Sequence, residues 1–354
     1  MNETSQDRTG RLDLRGLGRR EKALVAYRIA LRGHVANARE PALFRRATRV
    51  AIVLAAAHAG VLPPQDIRVS DAVAAAGDDI LRFNLAFKAL VAGPTADTEA
   101  AVETSFRDHF RVLGAEAVAA GRRDLERLAE EGASMPATSA LWPDGQPAMV
   151  SERWNASVER LNHAGLGHLA RWYGLILVGR EPDETWYRVA QLPVEAWQST
   201  ETLAHAIDRI EAAVAVGRSA GEAARLIAGR PDHVAPIGHN RPPEPLDDAP
   251  VGPAEIDRLE EAVATLAREA EAPAPDAEAV AQAREQTAGF LRRAVGWLAA
   301  KLDVAADAFF KAVGQAAGAS AGLAATGVST VWLMDLANLL RPLLDAVERW
   351  LALL

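Results

Sequence analysis

The sequence has no cysteine, which excludes disulfides, thiolate catalysis and cysteine-ligated metal sites. The sequence also lacks an excess of positive charge, because its net charge is −8. Nucleic-acid binding depends on clustered cations that displace counterions from phosphate. The N-terminus lacks the apolar core of a secretory signal. We therefore expect a protein that is not secreted, binds no nucleic acid and keeps most of its chain in the cytoplasm.

Recognisable catalytic and metal-ligating patterns are missing as well. None of the eight histidines has a second histidine four residues away, the spacing with which a helix holds zinc. The G-x-G-x-x-A match at Gly165–Ala170 follows a helical pattern rather than the strand that a nucleotide-binding turn requires. The sequence thus predicts no catalytic residue, no cofactor-binding residue and no metal site.

Apolar residues make up 49% of the chain, and alanine supplies much of this share. Their spacing follows the period of a helix, and no run alternates with period two for long enough to predict a strand. We expect an all-α fold that starts with a disordered tail at 1–18 and continues with an antiparallel, alanine-rich helical array at 19–134.

A tryptophan-rich helical module is expected at 135–230. Large rings there would fill the gaps between thin alanine-rich helices, and an alternative is that they line a ligand pocket. The candidate aromatic core residues are Trp142, Trp154, Trp172, Tyr173, Trp186 and Trp197.

A proline-rich linker is expected at 231–253, because proline lacks the backbone donor that a helix needs. The following segment, 254–272, has apolar residues at heptad a and d spacing, which predicts a short coiled-coil-like helix and a seam for self-association. The seam residues are Ile256, Leu259, Val263 and Leu266.

The C-terminal region, 276–354, contains two amphipathic stripes around a segment without charge, 312–334, which is long enough to cross a bilayer. Gly314, Gly318 and Gly322 recur every fourth residue, a spacing that lets membrane helices approach closely. Trp332 and Trp350 would suit an interfacial aromatic belt, with the flanking helices in the interfacial plane. The alternative is a glycine-lined helix buried in a soluble bundle.

Three segments resemble an uncharacterised, mainly alphaproteobacterial helical family. They are "LWPDGQP" at Leu141–Pro147, "WYGLILVGR" at Trp172–Arg180 and the linker signature "GHNRPPE" at Gly238–Glu244. No activity is established for that family, so the resemblance implies a helical module followed by a variable C-terminal region and assigns no site residue.

These features together predict a non-enzymatic, membrane-associated helical interaction or scaffold protein that self-associates through its C-terminal helices and contacts the inner membrane. Two alternatives remain open. One is a pore-forming effector that damages membranes, which would use the same glycines. The other is a soluble helical protein with a ligand or enzymatic site in the tryptophan-rich module.

Overall fold

The computed structural model describes the residue ranges 17–63, 71–72, 74, 86, 100, 104, 115–131, 141–142, 145–180, 183–229, 252–312 and 330–354. All regular structure within these ranges is helical and none of it is a strand, which confirms the predicted all-α class. The expected tail up to residue 16, the linker residues 230–251 and the segment 313–329 lie outside the described residues.

The chain divides into two compact units, Met1–Ile207 and Asp208–Leu354. The division falls inside a long helix, whereas the sequence placed the boundary at the proline-rich linker. Ala213, Val216, Ala220, Ala223 and Ile227 of this helix belong to the core of the C-terminal unit. The part of the helix from Asp208 onward therefore belongs with the residues that follow the linker.

The N-terminal unit is built from short helices around a mostly buried first one. They are α1 (Arg19–Gly33), α2 (Pro41–His58), α3 (Ala115–Glu131), α4 (Ala148–His163), α5 (Gly167–Leu177), α6 (Glu184–Val189) and the start of α7 (Thr200–Ala228). Every residue from Ala23 to Val35 is buried, because α1 packs against α2, α3 and the 3-10 turn His34–Arg39.

Helix ends in this unit follow local sequence rules. Pro41 occupies the first turn of α2, where its missing N–H costs nothing. Asp183 caps α6 by accepting a 3.1 Å hydrogen bond from the Thr185 backbone N–H. Gly179 follows α5 with a φ of +73°, a left-handed conformation that favours glycine, so the helix ends there.

The C-terminal unit contains the rest of α7, α8 (Pro253–Glu271), α9 (Ala277–Ala312) and α10 (Thr330–Leu351). Asp276 caps α9 by accepting from the Glu278 backbone N–H at 2.9 Å, as its position in the sequence suggests. The short link between α8 and α9 and the 3.1 Å ion pair between Glu255 and Arg293 show that these two helices run antiparallel.

The predicted seam residues of α8 lie inside the core of this unit. Ile256, Leu259, Val263 and Leu266 are 4%, 1%, 0% and 0% exposed and pack in one cluster with residues of α7, α9 and α10. The apolar stripe of α8 therefore contacts helices of its own chain, so these four side chains are not available as a surface for a second copy.

The two tryptophans expected at a membrane interface are also in this core. Trp332 is 6% exposed and its Nε1 donates a 2.9 Å hydrogen bond to the Leu226 carbonyl, while Trp350 is fully buried. The stripe Leu336, Leu340, Leu343 and Val347 of α10 packs in the same cluster. The expectations of an aromatic belt and of a flanking α10 helix in the interfacial plane are therefore wrong, because these side chains already cover the bundle core.

We expect Leu259→Ala to lower the free energy of unfolding of the C-terminal unit by about 2–4 kcal/mol, because the removed atoms leave a cavity in a packed core. Thermal unfolding followed by circular dichroism measures the loss. The matched control is Glu260→Ala on the exposed face of the same helix, which should have little effect. A midpoint that shifts with protein concentration in the wild type and not in Leu259→Ala would instead indicate an intermolecular seam.

Candidate functional site

A buried cluster of charged side chains lies in the N-terminal unit. Arg28 and Arg32, one turn apart on α1, both contact the carboxylate of Asp124 on α3. Arg28 Nη2 lies 2.9 Å from Asp124 Oδ1, and Arg32 Nη2 lies 2.7 Å from Oδ2. The three side chains are 0%, 1% and 2% exposed, so the cluster is an ion-pair network in a low-dielectric environment.

Arg32 also connects α1 to two further segments. Its Nε donates a 2.9 Å hydrogen bond to the Leu141 carbonyl, and its Nη2 is 3.5 Å from the Ala120 carbonyl. The guanidinium carbon lies 5.7 Å from the centre of the Trp142 ring, within the range of a cation–π contact. One guanidinium thus fixes the position of α1, α3 and the segment that begins at Leu141.

The charge balance of this cluster is unfavourable for Arg32. Burial lowers the pKa of the Arg32 guanidinium, Asp124 counteracts that change, and the positive charge of Arg28 lowers the pKa further. Asp124 divides a single negative charge between two guanidinium groups. The Asp124 carboxylate is therefore an ion-pair partner that both buried arginines share.

A second polar group, His34, lies just past the end of α1. Asn37 Nδ2 donates to its Nδ1 at 3.1 Å, so the ring proton is on Nε2, which donates to Thr48 Oγ1 at 2.8 Å. The ring stacks on Phe44 at 4.7 Å and meets the edge of Tyr173 at the same centroid distance. Burial lowers the pKa of His34 to about 3, so the neutral ring persists at physiological pH.

Two buried tyrosines connect the helices through backbone carbonyls. Tyr27 donates to the Ala51 carbonyl at 2.9 Å, and Tyr173 donates to the Leu31 carbonyl at 2.8 Å. Burial raises the pKa of both phenols above their ordinary value. Because the hydroxyls satisfy backbone acceptors and stay protonated, they act as structural hydrogen-bond donors.

A second arginine–tryptophan contact lies elsewhere in the unit. The guanidinium carbon of Arg49 is 5.8 Å from the centre of the Trp197 ring. Burial lowers the pKa of Arg49, while the charges of Asp71 and Glu195 raise it. Arginine therefore stacks on a tryptophan of the aromatic module both here and at Trp142, in each case from a residue of the N-terminal array.

The buried polar side chains of the N-terminal unit are suited to positioning helices rather than to proton transfer. A general acid or base needs access to a substrate and a pKa near the working pH. Arg28, Arg32, Asp124 and His34 are nearly or fully buried, and burial holds His34 neutral well below neutral pH. The chemistry that these side chains can perform is the recognition of charge and of hydrogen-bond donors or acceptors inside the fold.

The aromatic residues selected from the sequence all lie buried in the N-terminal unit, with exposures between 0% and 8%. Trp154 meets Tyr173 edge-on at 5.0 Å, and Trp172 lies 6.3 Å from Trp186. The candidate packing glycines Gly314, Gly318 and Gly322 lie outside the described residues.

Sequence reasoning missed the ion-pair network, although one signal pointed to it. Asp124 lies four residues after Ala120 and four before Leu128, both buried, so it is on the apolar face of α3. A charged residue on such a face requires a partner. The partners are 96 and 92 positions earlier in the chain, a separation that no local pattern reveals.

The fold and the cluster together define an all-α protein with a closed ion-pair network in its N-terminal unit. No known family model matches the chain, and neither a curated protein nor a solved structure matches it. The resemblance to the alphaproteobacterial family therefore stays a prediction.

We expect Asp124→Asn to destabilise the protein by about 3–5 kcal/mol, because it leaves two buried guanidinium groups without their shared carboxylate. Urea unfolding followed by tryptophan fluorescence measures the change. Glu126→Gln, two residues away on the exposed side of α3, removes the same charge and should change the free energy of unfolding by less than about 1 kcal/mol. Equal effects of the two substitutions would contradict the role assigned to Asp124.

The burial of His34 predicts a pH dependence of stability. In the unfolded chain the ring takes up a proton near its ordinary pKa of 6.5, whereas in the folded protein it does so only near 3. Its stabilising contribution is therefore fully present above about pH 6.5 and is lost progressively as the pH falls toward 3.

Unfolding free energies measured between pH 7 and pH 4 test this expectation. The slope should be clearly smaller in His34→Gln than in the wild type, while the exposed His163→Gln should keep the wild-type slope. An unchanged slope in His34→Gln would show that the ring does not carry the pH dependence.

Proposed function

We propose that this chain is a non-enzymatic helical interaction or scaffold protein whose C-terminal unit contacts the inner membrane, with the N-terminal unit in the cytoplasm. The N-terminal unit supports the interaction role because its titratable cluster is closed to solvent and holds helices in register. A rigid helical body of this kind serves as a platform for contacts at its surface. The membrane role rests on the C-terminal unit.

The length of α9 relative to α8 is the observation that carries the membrane contact. The Glu255–Arg293 ion pair sets the antiparallel register, so Pro253, the first residue of α8, lies opposite approximately residue 295 of α9. Helix α9 continues to Ala312, roughly 25 Å further at 1.5 Å per residue. It therefore extends well past the end of α8.

The residues that follow this extension contain no charge. Val313 to Ser329 comes directly after α9, and Gly314, Gly318 and Gly322 recur in it every fourth residue. None of the helices in the described part of the chain is long and apolar enough to span a membrane. The proposed contact is thus made by the uncharged segment itself, and self-association would occur through its glycines.

An acidic residue placed in this segment tests the proposal. A carboxylate near the centre of a membrane-inserted helix costs about 2.5–3.5 kcal/mol. We therefore expect the full-length protein to sediment with inner-membrane vesicles and Ala324→Asp to move largely to the supernatant.

Ala264→Asp is the matched control, because Ala264 is exposed on α8 and the charge change is the same. This control should sediment like the wild type. If the wild-type protein stays in the supernatant at low and at physiological salt, membrane contact is excluded. If both variants leave the membrane equally, net charge rather than the uncharged segment governs binding.

A further inference from the structure

The direction of α10 relative to α9 follows from one ion pair and from the length of the chain between the two helices. Arg284 Nη2 lies 3.4 Å from Glu348 Oε1, so these residues are at the same level of the C-terminal unit. If the helices ran parallel, Thr330 would lie roughly 69 Å from Ala312 along the axis, at 1.5 Å per residue. The chain between these two residues spans at most about 65 Å when fully extended. Helix α10 therefore runs antiparallel to α9.

The core of the C-terminal unit agrees with this direction. In the antiparallel register, Leu298 of α9 lies opposite approximately residue 334 of α10, and Leu298 and Leu333 pack in the same apolar cluster. Thr330, the first residue of α10, then lies opposite approximately residue 302. Helix α9 continues to Ala312, so it extends roughly 15 Å past the start of α10 as well as past the start of α8.

The chain consequently leaves this bundle and returns to it at the same end. Residues 313–329 connect Ala312, the last residue of α9, to Thr330. The Arg284–Glu348 ion pair and the shared core hold α9 and α10 side by side. A segment that crosses a bilayer has its two ends on opposite sides of the membrane, and this packing does not permit that arrangement.

The uncharged segment is also shorter than the sequence alone suggests. Of the stretch 312–334, Trp332 and Leu333 are buried in the core, and α10 already begins at Thr330. The 17 residues of 313–329 are fewer than the roughly 20 apolar residues that a spanning helix needs. Four of them carry polar side chains, namely Gln315, Ser320, Thr326 and Ser329. A polar side chain costs less near the lipid headgroups than at the centre of the hydrocarbon core.

We propose that residues 313–329 insert into the cytoplasmic leaflet of the inner membrane and return to the side from which they enter. The partner is a lipid bilayer bound through one leaflet, and both α9 and α10 stay on its cytoplasmic side. The extension of α9 carries the segment past the ends of α8 and α10 toward the lipid. This topology rests on the proposed membrane contact.

Single cysteines test the topology directly, because the chain has no cysteine of its own. Ala281→Cys on α9 and Asn338→Cys on α10 both replace exposed residues, so neither change disturbs the core. Each full-length variant is treated with a membrane-impermeant maleimide in sealed inside-out and right-side-out inner-membrane vesicles. We expect equal labelling of the two cysteines in inside-out vesicles and loss of labelling for both in right-side-out vesicles. Labelling in detergent is the control for the reactivity of each thiol.

The other outcomes separate this topology from the membrane contact itself. Labelling of Asn338→Cys in right-side-out vesicles would show that the segment crosses the bilayer, and protection of Asn338→Cys in both kinds of vesicle would place α10 in lipid. Either result overturns the one-leaflet topology while the membrane contact stands. If the wild-type protein does not sediment with the vesicles, the proposed function and the topology both fail.

Discussion

The N-terminal unit depends on one carboxylate. Asp124 forms ion pairs with two buried guanidinium groups, and both of these groups come from α1, the helix around which the unit is built. The free energy needed to bury an unpaired charge is large compared with the net stability of a typical folded protein. The packing of α1 against α3 is therefore favourable in the register that brings Arg28, Arg32 and Asp124 together. The ion-pair network therefore contributes specificity to a core that is otherwise rich in small side chains.

Alanine explains why this specificity is needed. An alanine-rich helix presents a shallow surface, and shallow surfaces fit one another in several registers with similar burial of apolar area. Buried side chains that form hydrogen bonds select one of these registers, because each hydrogen bond requires a particular geometry. His34 must find both Thr48 and Asn37, and Tyr173 must reach the Leu31 carbonyl, so an incorrect register would leave buried donors and acceptors without partners.

The periodic parts of the fold could be predicted from sequence, and the long-range parts could not. Helix starts at Arg19, Pro41 and Asp276 follow from proline, capping and apolar spacing, which are local signals. The stripe on α8 was recognised as well, but an amphipathic stripe does not specify whether its own chain or a second copy covers it. The link between Arg32 and Asp124 joins residues far apart in sequence, so only the folded chain reveals it.

The helices of the two units are held together by different kinds of contact. In the N-terminal unit, polar groups and rings fix the packing, as at Arg32 on Trp142 and Arg49 on Trp197. In the C-terminal unit, the core is a continuous apolar cluster of leucine, isoleucine, valine, alanine, phenylalanine and tryptophan from four helices. An apolar cluster tolerates small shifts of its helices, because dispersion contacts have no required direction. That tolerance suits a bundle whose longest helix, α9, leads directly into a segment without charge.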